Sequence, residues 1–243
     1  MTGARRRALV ALLVAVAALS IVAMTLVARD PSPLPPRAVA ERPTLMLLTS
    51  LPLLFGEDFS LDRGGSPALT RLRERYQIVP ISVTDAAELS KGRLLLMAQP
   101  PAQTAENLVT LDHWVNQGGR VLLLADPMLE WPSERPLGDP LRPSPMFADT
   151  GLLAHWKLRL AAPERRGAVE RRLGRFIVVA LSPGTLDGGC TIGRDGFVAH
   201  CKIGRGKAAI VADADFLNVG ELGTQARHNL DGLADSLAGL EQK

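Results

Sequence analysis

The sequence predicts an α/β domain, a mostly parallel sheet with a β-hairpin insertion late in the chain, preceded by one N-terminal transmembrane helix. Three observations predict it. Short apolar runs such as Leu94–Ala98 and Val121–Ala125 alternate with stretches of helical period. Those runs are apolar on both faces, as parallel strands covered on two sides require. Ahead of them, Arg5, Arg6 and Arg7 precede an uncharged run from Ala8 to Ala28, which as a helix is roughly 30 Å long and matches the hydrocarbon core of a bilayer.

The 243 residues therefore divide into a cytoplasmic tip and anchor (1–29), a spacer (30–43) and an α/β body (44–243). Three arginines before the span, against Arg29 close behind it, leave the N-terminus cytoplasmic and put the body in the periplasm or its equivalent. A secretory signal has the same polarity with an apolar core of about 7–15 residues. Its cleavage site would be Ala38-Val39-Ala40, which lies well beyond the apolar run. The length of the run favours the uncleaved anchor, with cleavage near Glu41 as the alternative. The spacer, DPSPLPPRAVAERP, holds five prolines and reads as an extended, semi-rigid segment.

In the body, Thr44–Leu48 is the first strand. Pro67–Tyr76 has helical spacing, with Leu69 and Leu72 on one face. Ile78–Val83 reads as a strand and Asp85–Ser90 as a short helix capped by Thr84 or Asp85. After the strand Leu94–Ala98, Thr104 caps a helix whose stripe is Leu108, Leu111 and Val115, and Gly118-Gly119 ends it. With Val121–Ala125 this completes a right-handed strand–helix–strand crossover. From Asp126 to Pro145, six prolines rule out regular structure; a loop this long is functional or mobile. A helix over Met146–Trp156, strands at Leu158–Leu160, Phe176–Leu181 and Ala208–Ala212, and a closing helix over Thr224–Leu240 finish the body.

Composition excludes some functions. Aromatic residues are only 4% of the chain, too few for a base-stacking platform. The net charge is +3, too small for a nucleic-acid stripe. No nucleic-acid partner and no cofactor are expected.

The candidate site residues lie at strand ends. Asp213 and Asp215 follow the last strand in AAIVADADFLN, and Asp126 follows its own strand on the same edge. In open α/β sheets ligands bind outside the carboxyl ends of strands. The three acids could hold a cation or polar ligand there, or serve a hydrolase. The plainer reading is that they accept backbone hydrogen bonds and shape turns, and it is preferred because no nucleophile, base or phosphate loop accompanies them.

The cysteines read as a bridge. Asp195-Gly196 is a favoured hairpin turn, and folding about it sets Ile192 opposite Ala199 and Cys190 opposite Cys201. Directly paired residues are close enough to bridge, and an exported body keeps such a bond oxidised. The alternative is two unpaired small core residues. A metal site is disfavoured, because adjacent His200 and Cys201 point to opposite faces of a strand. The arginines 165, 166, 171, 172 and 175 read as a solvated edge or, alternatively, as a contact for anionic lipid or an acidic partner. The proline-rich loop with Trp131 is a further candidate contact.

LLLMAQPPAQTAENLVTLDHWVNQGGRVLLLADP (Leu94 to Pro127) and GKAAIVADADFLN (Gly206 to Asn218) resemble segments of the GldG-type auxiliary proteins of ABC transport systems. His228-Asn229-Leu230 stands where that group opens its closing helix. The resemblance implies a flavodoxin-like, class I glutamine-amidotransferase-like sheet, a bilayer anchor and ABC transporter subunits as partners. It also implies a non-catalytic accessory role. An active amidotransferase needs a cysteine on a strand-to-helix elbow and a His-x-Glu pair. Gly188-Gly189-Cys190-Thr191-Ile192-Gly193 misses the elbow spacing, and none of the four histidines has a glutamate two positions later.

Overall fold

A computed structural model describes residues 31–54, 65–136, 138–139 and 141–242. The apolar run Ala8–Ala28 lies outside them; among the described residues no helix is long and apolar enough to cross a membrane. The chain divides into two units, Met1–Pro33 and Leu34–Lys243, and the second holds all the described strands and helices.

Five strands form the parallel part of a seven-stranded sheet: β1 (Thr44–Thr49), β2 (Gln77–Pro80), β3 (Leu94–Ala98), β4 (Arg120–Leu124) and β11 (Gly206–Val211). Their order is β2-β1-β3-β4-β11, the doubly wound arrangement in which the chain reverses direction of growth beside β1. Antiparallel β10 (Val198–Ile203) and β9 (Thr191–Ile192) extend the sheet past β11. Every residue of β3 is buried. Alternate side chains of the central strands feed two cores, Leu45, Leu96 and Leu122 on one side and Met46, Leu95 and Val121 on the other.

The helices cover these faces where local signals start and stop them. Ser66 accepts from the Leu69 amide and Pro67 is the first residue of α1 (Pro67–Arg73). Asp85 caps α2 (Ala86–Leu89) and Thr104 caps α3 (Ala105–Asn116). At the end of α3 the Gly119 amide donates to Trp114 O and Gly118 to Val115 O, with Gly118 at φ 110°; this paired closure favours glycine. The first core face takes α1, α6 (Asn229–Glu241) and the hairpin of β6 (Ala168–Leu173) and β7 (Phe176–Leu181). The second takes α2, α3, α4 (Leu152–His155) and the β5 (Leu158–Ala161)–β8 (Thr185–Gly188) pair.

Several expected helices are shorter than their patterns suggest, and α1, with helical spacing to Tyr76, stops at Arg73. Residues 146–151 do not join α4, because the Phe147 amide donates to Asp126 O and Asp149 Oδ1 accepts from Gly151 and Leu153. The closing segment breaks into a 3-10 turn, Gly223–Ala226, before α6 begins at Asn229. Strand β2 stops at Pro80, three residues short of its apolar pattern. A short α5 (Val219–Leu222) precedes that 3-10 turn.

The stretch from Leu34 is tied to the body. Arg71 Nη2 donates to Leu34 O at 3.0 Å and Arg75 to Pro35 O. Arg37 pairs with Glu241 at 2.8 Å and lies over the Tyr76 ring. The Tyr76 hydroxyl donates to the same carboxylate, and burial is the main cause that holds its pKa far above the ordinary value.

Candidate functional site

Each parallel strand near the middle of the sheet ends in a buried polar residue: Gln99 after β3, Asp126 after β4 and Asp213 after β11. The structure brings the three expected acids together here. Asp126 Oδ2 accepts from the Ala214 and Asp215 amides at 2.9 and 3.3 Å, and its Oδ1 from Met128 N at 2.8 Å. Asp213 accepts from Phe216 N at 2.8 Å and Leu181 N at 3.1 Å. Asp215 lies in a 3-10 turn, Asp215–Leu217, and accepts from Glu130 N at 2.7 Å. The carboxylates thereby fasten the loop after β4, the turn after β11 and the end of β7 to one another.

Burial raises all three pKa values. Asp126 goes up to about 6, opposed by its amide donors. Asp215 goes up to about 7, by burial and then by the charge of Asp126. Asp213, fully enclosed, is pushed well above the usual carboxylate range by burial and Asp126. Asp215 can therefore exchange a proton near neutral pH. Among the described residues no group of three or more His, Cys, Asp or Glu side chains is disposed to hold a metal ion.

Four residues not anticipated as part of this site complete it. Gln99, at φ 42°, donates through Nε2 to Asp126 O and Ser144 O and accepts from Asp126 N, so one amide group pins both ends of the proline-rich loop. Ser182, at φ 50°, donates to Glu130 Oε1 and accepts from Gly167 N. A non-glycine residue at positive φ carries backbone strain, and here both such residues are buried and fully engaged. Asn229, wholly buried, accepts from Val179 N and donates to Val179 O and Phe216 O. Gln99 and Ser182 do carry a sequence signal, a polar residue directly after an apolar strand; Glu130 carries none.

Cys190 and Cys201 form a disulfide with Cα atoms 4.9 Å apart. Ile192 pairs with Ala199 as expected. The turn is longer than two residues, since Gly193 N donates to Val198 O and Gly196 N to Gly193 O. It remains centred on Asp195-Gly196, so the register is preserved. His200 is exposed and Cys201 buried, on opposite faces. Of the arginines, Arg171 faces Asp195 at 3.9 Å and Arg175 pairs with Asp235 at 2.7 Å, while Arg165, Arg166 and Arg172 are exposed. Trp131 is half-buried against the first core.

No family model and no curated protein matches the chain. Among solved structures it is similar to an exo-β-1,4-mannosidase from Opitutaceae bacterium strain TAV5, at 13% identity and TM-score 0.48, over 82% of this chain and 36% of that one. A cytoplasmic protein from Salmonella typhimurium matches at 11% identity and TM-score 0.48, over 81% of this chain and 98% of that one. A β-galactosidase from Bacillus circulans sp. alkalophilus matches at 15% identity and TM-score 0.43, over 83% and 31%. The chain thus spans about a third of the length of the two glycosidases.

Proposed function

We propose that the chain is a membrane-anchored, extracytoplasmic accessory protein with an amidotransferase-like body that binds a partner and carries out no chemistry, a component of an ABC-type transport or envelope assembly. The observation that supports this reading is the state of the carboxyl edge. An α/β enzyme keeps reactive groups open there, whereas here the three carboxylates accept from the chain's own amides, at Met128, Ala214, Asp215, Leu181, Phe216 and Glu130. Cys190, the nearest approach to a nucleophile in the sequence, is bonded to Cys201 and has no thiolate to offer.

The test is co-purification. The tagged full-length protein, solubilised from its native membranes, should carry ABC transporter membrane subunits with it, and a phosphatase fused at Lys243 should be active. Purification alone, or an inactive phosphatase with a fluorescent cytoplasmic reporter, overturns the assignment. A mature N-terminus near Glu41 removes the anchor from it. The competing hydrolase or polar-ligand sensor at Asp126, Asp213 and Asp215 gains only if an activity or ligand affinity of the purified protein is abolished by Asp213→Asn.

A further inference from the structure

On the first core face, α6 lies over β4 and β11, and the sheet continues past it to β10. Beside α6 is a trough of about 950 Å³, with Val198 of β10 and Ala209 of β11 in its floor. On the other face β10 is covered, its Ala199 and Cys201 sharing a core with Leu158 and Leu186. The trough is thus on the first face alone, and its apolar floor is buried. Its wall on α6 is low: Gly239 faces it, and a Cβ at that position would meet nothing within 4 Å.

The rim is cationic. Arg172 of β6, Arg194 of the β9–β10 turn, and Lys202 and Lys207 border the trough. The two carboxylates beside them are already engaged, Asp195 with Arg171 and Asp235 with Arg175, and Lys207 donates to Gln242 O. Arg172, Arg194 and Lys202 have no carboxylate partner among the described residues. Three separate elements therefore aim uncompensated positive charge around one recess, which His200 of β10 and Ser236 of α6 also line.

We propose that this trough is the docking site for an acidic amphipathic helix of a partner protein, seated beside α6 over β10 and β11. The inference rests on the binding-protein reading above and names the partner's chemistry. A helix roughly 10 Å across would fill the volume with about two turns, its small or apolar face on Val198 and Ala209 and its acids toward the rim. Charge on the rim steers and selects such a partner. A bilayer surface is planar and cannot enter the recess.

Fluorescent peptides of about 14 residues titrated into the full-length protein in neutral detergent test this. One is an amphipathic helix with glutamates on its polar face, the second carries lysines there, and the third is the acidic peptide broken by prolines. The acidic helix should bind about tenfold more tightly than either control and weaken with salt. Arg194→Glu with Lys202→Glu should cost about tenfold in affinity, and Gly239→Leu, which projects a side chain into the trough where the helix would lie, should also weaken binding. Val109→Glu on α3, an exposed position on the other face, should change nothing. Equal binding of the acidic and basic helices, or binding untouched by the double variant and by Gly239→Leu, overturns the proposal. So does binding to phosphatidylglycerol vesicles, in place of the peptide, that the double variant abolishes. If the native complex co-purifies equally with wild type and double variant, the trough is refuted and the accessory role stands. If wild type brings down no subunits, the accessory role fails while the peptide titration still decides the trough.

Discussion

Asn229 is the residue through which α6, β7 and the turn after Asp215 share one set of hydrogen bonds. Its side chain accepts from Val179 N at 2.8 Å and donates to Val179 O at 2.8 Å and Phe216 O at 2.7 Å, with no exposure to solvent. Asn229→Ala strands all three backbone groups. A buried polar group without a partner costs about 1–3 kcal/mol, so even the low end for each gives a loss of about 3 kcal/mol. For a unit of this size that lowers Tm by about 6–12 °C. With an m-value of about 2 kcal/mol/M it lowers the urea midpoint by about 1.5 M. Asn229→Asp separates the hydrogen bonds from shape. One oxygen still accepts from Val179 N, but the other faces two carbonyls, which only a protonated carboxyl can serve. The folded state then holds that carboxyl's pKa above its unfolded value. The contribution is present below the ordinary carboxylate range and is lost as pH rises through the raised pKa. Urea denaturation at acidic and neutral pH should show the aspartate variant recovering part of its stability in acid, with the alanine variant unmoved. An alanine midpoint within about 0.3 M of the parent, inside the extrapolation error, would refute the reasoning.

Other outcomes follow from the same structure. Asp215, raised to about 7 against about 3.9 unfolded, binds its proton more tightly when folded. Its contribution is complete below about pH 4 and is lost as pH rises through about 7. The Tm should fall between those values, and Asp215→Asn should flatten the profile without levelling it, because Asp126 titrates with the same sign. Joining Cys190 to Cys201 closes a loop with a sequence separation of 11; the chain-entropy model gives the bridge about 2–3 kcal/mol. Cys190→Ser with Cys201→Ser should lose that much in urea titration, and non-reducing peptide mapping of the parent should recover the two cysteines in one fragment. Gly206→Ala places a Cβ 2.1 Å from Val115 O and 2.3 Å from Gly119 O. Backbone on both sides leaves no room to yield, so the variant should lose about 2 kcal/mol or more by thermal melt.

Where local chemistry decides structure, the sequence can be read closely. Strands β3 and β7 fall on the expected residues, Thr104 caps its helix as the pattern requires, and of the two caps offered for α2 it is Asp85 that serves. The disulfide register depends only on symmetry about Asp195-Gly196, so a longer turn leaves it intact. Strand β6 is hidden because its Ala168–Leu173 carries charges at Glu170, Arg171 and Arg172 and has the look of a solvated arginine cluster. Its strand character comes from pairing with β7. Strand β8 buries only Leu186 and is held by distant β5, a non-local partner without a sequence signature. In the site, Asp126, Asp213 and Asp215 are legible because each follows an apolar strand. Glu130 and Ser182 meet only after the proline-rich loop and the β6–β7 hairpin have been placed by the fold.

The ion pair between Arg37 and Glu241 has a topological consequence. It brings the start and finish of the compact unit to within 2.8 Å of each other through their side chains, and Arg120 Nη1 holds Glu241 O at 2.7 Å beside the sheet. Domains whose ends lie together tolerate having them joined and reopened elsewhere. A short linker from Gln242 back to Leu34, with new ends cut at the exposed Gly204-Arg205 turn, should leave the sheet order unchanged. The same adjacency makes the unit a cassette, able to be spliced into a surface loop of a host protein without forcing the host's chain apart.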